Sequence, residues 1–136
     1  MTAQHSILIV EDDYFQLHAL KIMLTRLKYN VVGVVDSGER AIALLIDLKP
    51  DIVLMDIILK GEMNGIETAK KMSAIADHIA LIFVSGFVYE SQKNRMEQTK
   101  YDAFLSKPIS REILSETLKR CCSKKRTSGS GQLARV

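Results

Sequence analysis

Asp51-Ile52-Val53-Leu54-Met55-Asp56 is the stretch whose reading decides the fold. Ile52 to Met55 are four consecutive apolar residues, entered through Pro50 and Asp51 and closed by a carboxylate. An apolar run of this length, with no polar alternation, suits a strand buried on both faces, as in a parallel sheet covered by helices. Asp56 then stands at the carboxyl end of that strand, the edge where open parallel α/β sheets gather ligands. A single Asp after a strand is more often a turn or cap residue. Asp56 gains meaning only if other strands deliver partners to the same edge.

Upstream, Ile7-Leu8-Ile9-Val10 is a second continuous apolar run, and it ends in Glu11-Asp12-Asp13. Behind it Leu17, Leu20, Leu24 and Leu27 fall on one helical face, closed by Tyr29-Asn30. Asp13 with Gln16 three residues on predicts a capping box at the start of that helix. Val31 to Val35, interrupted by Gly33, reads as the next strand, and Asp36-Ser37-Gly38 as a turn. Ala41, Leu44, Leu45 and Leu48 form another helical stripe, stopped before Pro50.

Downstream of Asp56, residues 57–65 carry two glycines and no period, which reads as a loop. A helix follows over about 66–75, then an apolar strand from Ile79 to Val84 ending on Ser85-Gly86. Tyr89 to Lys100 is polar with few apolar anchors, a weakly held exposed helix. Asp102 to Leu105 is a short strand punctuated by Lys107-Pro108. Ser110 can cap a last helix that buries Leu114, Leu118 and one or both cysteines. Five strand–helix repeats with short connections predict a doubly wound α/β domain. Its five-stranded parallel sheet has helices on both faces and the flavodoxin-like order 2-1-3-4-5. Residues 1–122 make one domain, and 123–136 read as a flexible polar tail.

The 136 residues, 47% hydrophobic and 26% charged, suit one soluble globular domain. A net charge of +3 is too small to argue for nucleic acid binding. No apolar run approaches the roughly 18 residues of a membrane helix, and the N-terminus lacks the pattern of a secretory signal. Cys121 and Cys122 are adjacent, so they cannot staple distant segments and are too few for a metal site. One is expected buried and one exposed, in a reducing cytoplasm. His5, His18 and His78 are scattered and suggest no site. Lys119, Arg120, Lys124, Lys125 and Arg126 complement the dipole at a helix end.

In this strand order the ends of strands 1, 3, 4 and 5 converge. They bring together Glu11 and Asp12, then Asp56, then Ser85, then Lys107. Three carboxylates in one place repel, and a hard cation with a lysine relieves the repulsion. Carboxylate oxygens with water suit Mg²⁺ or Mn²⁺. Lys107 can pair with a carboxylate or a phosphoryl oxygen, and Ser85 offers a hydroxyl. Such a site suits phosphoryl transfer with Asp56 as in-line nucleophile.

Ile7 to Asp13, the strand ending at Asp56, Val84-Ser85-Gly86 and Phe104-Leu105-Ser106-Lys107-Pro108-Ile109 together resemble a two-component response-regulator receiver domain. The likeness is to the CheY-like, stand-alone type and covers roughly residues 6–122. It implies that Asp56 accepts a phosphoryl group from a histidine kinase or a phosphotransfer protein. It also implies that Asp12 is the main metal carboxylate, that Glu11 acts mostly through water, and that the Ile58 backbone carbonyl completes the ligands. Ser85 and Lys107 would bind the phosphoryl group, Ser85 and Phe104 would form the switch, and the Lys107–Pro108 bond would be cis.

The protein would then be a cytoplasmic signalling domain rather than an enzyme. It would catalyse only its own phosphotransfer and slow self-dephosphorylation. Output would run through a protein target or a phosphorylation-dependent dimer, without membrane or nucleic acid. Departures from the pattern are a loop after Asp56 one residue longer than the commonest form, a missing Pro in it, and an Asp13 that matches no required acid. Ile58 and Phe87, each two residues past a site residue, are apolar where the family borders the path of hydrolytic water, which implies a shielded, slowly hydrolysed phosphoryl group. One rival is a phosphorylation-independent pseudo-receiver. Another is an aspartate-nucleophile phosphohydrolase, for which no cap or general acid is found.

Overall fold

The computed structural model describes residues 5–86 and 90–126. The two apolar runs become β1 (Ser6–Val10) and β3 (Ile52–Asp56), and every residue of β3 is buried. The remaining strands are β2 (Asn30–Val35), β4 (Ala80–Ser85) and β5 (Ala103–Ser106). Each is followed by a helix: α1 (Tyr14–Arg26), α2 (Gly38–Leu48), α3 (Gly65–Ile75), α4 (Glu90–Glu97) and α5 (Arg111–Arg126), in chain order after β1 to β5. All pairings are parallel and the order is β2-β1-β3-β4-β5, as the strand–helix alternation predicts.

The two-residue period of the strands sorts the core into two layers. Ile7, Ile9, Ile52, Leu54, Ile82 and Val84 face Leu20 and Leu24 of α1 and Leu114 and Leu118 of α5. Leu8, Val10, Val53, Met55, Leu81 and Phe83 face Ala41, Leu45, Ile66, Ala69, Met72 and Met96 of α2, α3 and α4. Both sets are buried, which is why the strands read as unbroken apolar runs. Among the described residues, no helix is long and apolar enough to cross a membrane.

Four local expectations are corrected. Asp13 caps α1 by accepting the Gln16 N–H at 3.1 Å, but the box is not closed by Gln16. The Asp13 N–H instead donates to Glu11 Oε2 at 3.0 Å, so a carboxylate of the site has taken the partner that Gln16 would need. A complete capping box forms at α3, between Asn64 and Glu67. Both cysteines are buried rather than one, because α5 lays a wide stripe on the sheet and the Tyr29 ring packs against the same layer. Helix α4 is shorter than the polar stretch that announced it, and Met96 is its buried anchor. Helix α5 runs through Arg126, so residues 123–126 of the expected tail are helical, and residues 127–136 lie outside the described residues.

Candidate functional site

Strand β3 carries Asp56 to the centre of the sheet's carboxyl edge. Other strands of the sheet supply the rest: neighbouring β1 leads into Glu11 and Asp12, neighbouring β4 ends at Ser85, and β5, beyond β4, leads into Lys107. Backbone bonds continue the ladders past the strand ends. The Glu11 N–H donates to the Val35 carbonyl at 3.0 Å, and the Lys107 N–H donates to the Ser85 carbonyl at 3.0 Å. The Lys107–Pro108 peptide bond is cis.

Lys107 Nζ lies between two carboxylates, 2.7 Å from Glu11 Oε1 and 3.0 Å from Asp56 Oδ2. Asp56 Oδ1 accepts the Ile58 N–H at 3.2 Å. Glu11 and Asp56 are buried, 2% and 7% exposed, while Asp12 is half-buried at the mouth. Ser85 is buried beside them. Gly65 sets how close α3 comes. Its N–H donates to the Ile57 carbonyl at 2.7 Å, and a Cβ there would collide with the Asp56 carbonyl oxygen.

Burial pushes the Glu11 carboxyl above its ordinary pKa, with Asp56 adding to the rise, against the hydrogen bonds from Lys107 and the Asp13 amide. Burial alone would lower the Lys107 ammonium, but its bonds to Glu11 and Asp56 outweigh that and hold it above the ordinary lysine value. Lys107 is therefore a fixed positive charge at neutral pH. Glu11, Asp12 and Asp56 each offer a carboxylate oxygen within 4.8 Å of the others. With every carboxylate ionised, one ammonium leaves two negative charges uncompensated. An all-oxygen donor set with that charge fits a hard divalent cation such as Mg²⁺ or Mn²⁺.

The remaining residues singled out in the sequence fall nearby. Ile58 follows Asp56 into the loop and is 49% exposed. Phe104 lies on β5 in register with Phe83 and packs half-buried against the layer under α2, α3 and α4. Phe87 lies outside the described residues. Two features were not read from the sequence. Tyr14 and Phe15 at the start of α1 are 71% and 84% exposed beside the acidic edge. An open cavity of about 450 Å³ runs between α1 and the β5–α5 connection, lined by Gln16, Ala19, Leu20, Met23, Lys107, Pro108 and Ile109. An aromatic pair directly after the three acids was the available signal for the first. The second needs the packing of elements far apart in sequence.

Residues 7–119 match the profile of the response regulator receiver domain. The chemotaxis protein CheY of Thermotoga maritima is 32% identical over 112 residues, which are 82% of this chain and 92% of that protein. The signal receiver domain of a modulated diguanylate cyclase from Desulfovibrio desulfuricans G20 superposes with a TM-score of 0.87 at 32% identity, covering 93% of this chain and 99% of that one. The receiver domain of a sensor histidine kinase from Pseudomonas aeruginosa PAO1, with a magnesium ion coordinated in its active-site cleft, has a TM-score of 0.78 at 25% identity, covering 87% and 97%.

Proposed function

The chain belongs to the response regulator receiver family, and from that membership we propose that it is a phospho-accepting switch with Asp56 as the acceptor. The receiver unit runs to the end of α5 at Arg126, past the expected boundary at 122. The observation that carries the reading is the position of Asp56. It lies buried at the sheet edge, one carboxylate oxygen on the Lys107 ammonium and the other on the Ile58 amide, inside the Glu11–Asp12–Asp56 group.

In this reading an Asp56 carboxylate oxygen attacks the phosphorus of a phosphohistidine on a sensor kinase or phosphotransfer protein. The phosphorus–nitrogen bond breaks, its electrons stay on the imidazole, and the Asp56 oxygen keeps the phosphoryl group. Lys107 passes from the carboxylate to a phosphoryl oxygen, and the Ser85 hydroxyl donates to another. Asp12, Asp56, the Ile58 carbonyl and, through water, Glu11 would hold Mg²⁺ or Mn²⁺, which supplies neutralisation of the charge on the transferring group. The added charge biases Ser85 and Phe104 toward the signalling arrangement, read by a protein target or a second copy in the cytoplasm. Chemistry ends there: the domain transfers to itself and hydrolyses slowly, with the half-exposed Ile58 side chain shielding the phosphoryl group.

Intact-mass spectrometry with acetyl phosphate tests this. A single phosphoryl adduct is expected in the wild type with Mg²⁺, absent in Asp56→Asn, and decaying faster in Ile58→Asn. A folded wild type that takes no adduct would move the assignment to a phosphorylation-independent interaction module.

A further inference from the structure

The loop 57–64 leads from Asp56 to α3 and begins with the residues nearest the acidic group. Its far end is fixed by the Asn64–Glu67 capping box and by Gly65 on the Ile57 carbonyl. Leu59 packs partly buried under α2 and α3, but Lys60, Gly61 and Glu62 are exposed. The β2–α2 corner reaches across to this stretch. Glu39, in the first turn of α2, accepts the Met63 N–H at 3.3 Å through Oε2. Its other oxygen lies over Gly61, where a Cβ would come within 2.7 Å of Oε1. Gly61 has φ +89°, a conformation open to glycine. Ser37 and Lys60 form an isolated parallel bridge, and Lys60 Nζ is 3.9 Å from Asp36 Oδ2. Asp36, Ser37 and Glu39 thus hold Lys60, Gly61 and Met63 across the surface.

We propose that Glu39 is a positioning residue, a latch that keeps the β3–α3 loop ordered for the divalent cation bound at Glu11, Asp12 and Asp56. The proposal rests on the receiver reading of that site. A glycine-bearing loop loses conformational entropy when it orders around an ion, and a latch already made in the free protein removes part of that cost. The latch needs an acceptor oxygen, not a charge. Glutamine at this position keeps the oxygen and discards the charge, which separates latching from a general attraction of the cation by one more carboxylate.

Calorimetric titration of Mg²⁺ into the wild type, Glu39→Ala and Glu39→Gln decides it, with amide exchange at Met63 and acetyl phosphate labelling on the same samples. Glu39→Ala should weaken Mg²⁺ about three- to tenfold, the net value of one ordinary hydrogen bond, and Glu39→Gln about twofold or less. The Met63 amide should exchange faster in Glu39→Ala alone. Gly61→Ala disturbs the same contact from the loop side, so combining it with Glu39→Ala should weaken Mg²⁺ by less than the product of the two single losses. Unchanged Mg²⁺ affinity in Glu39→Ala, or an equal loss in Glu39→Gln, overturns the latch. A wild type that binds Mg²⁺ but takes no phosphoryl group overturns the switch reading alone, and the latch then stands or falls on the Mg²⁺ comparison. A wild type that binds no Mg²⁺ overturns both.

Discussion

Lys107 shows how one side chain sets the state of a buried site. Two buried carboxylates facing each other would be costly if unpaired, and the ammonium between them makes both tolerable. A second ionisable group is tuned without any part in the chemistry. The Tyr29 phenol, packed beside Cys121 and Cys122, is pushed up to about 12 by burial, with the two thiols adding to the rise. An acid whose folded pKa lies above the ordinary 10.0 keeps its proton in the folded state after the unfolded chain has lost it. Its contribution to stability is whole below pH about 10 and is lost progressively between about 10 and 12. Melting temperatures taken across that alkaline range should fall more steeply for the wild type than for Tyr29→Phe. Parallel curves would show that Tyr29 titrates as it does in the unfolded chain.

At the scale of elements, what was legible depended on the range of the interaction. Strands β1 and β3 could be read because burial on both faces leaves an apolar run that no local alternative explains. The corner formed by Gly65 could be read only in part. The loop was read to end at Gly65, but the need for glycine comes from the Asp56 carbonyl, nine residues back in the chain and across a turn. Glu39 was invisible, because its partner Met63 is 24 residues away and nothing in either residue type announces the bond. The expected capping box at Asp13 went wrong for the opposite reason: the local pattern was present, but Glu11 of the site had claimed the amide. Gly65→Ala follows from the observed packing. The added methyl forces α3 away from the end of β3, at a cost of about 1–3 kcal/mol, typical of overpacking a tight contact. Chemical denaturation should show that loss, together with slower acetyl phosphate labelling as Asp56 shifts. Wild-type labelling in a destabilised Gly65→Ala would mean that the helix start and the acceptor move independently.

The whole molecule couples a fully buried central strand to an acidic edge. Asp56 is the last residue of β3, the central strand that both core layers cover, so whatever relieves the acidic group should stabilise the entire sheet. The order 2-1-3-4-5 was legible because few topologies satisfy four short right-handed crossovers, and it alone brought Glu11, Asp12, Asp56 and Lys107 to one edge. The side-by-side geometry of the carboxylates was not legible, since it depends on rotamers set by Lys107. Relief by a cation has a thermodynamic signature that needs no phosphoryl donor. A ligand that binds only the folded state stabilises it by RT ln(1 + [L]/Kd), about 2.7 kcal/mol at a hundredfold excess over Kd. Melting temperature should therefore climb with Mg²⁺ and keep climbing logarithmically above saturation. Sodium chloride at matched ionic strength should not reproduce the rise, because screening acts weakly on buried charges. Asp12→Asn removes a carboxylate from the mouth of the site and should flatten the dependence while leaving the core layers intact. An identical rise with both salts would assign the effect to general screening and leave the acidic group without a specific cation.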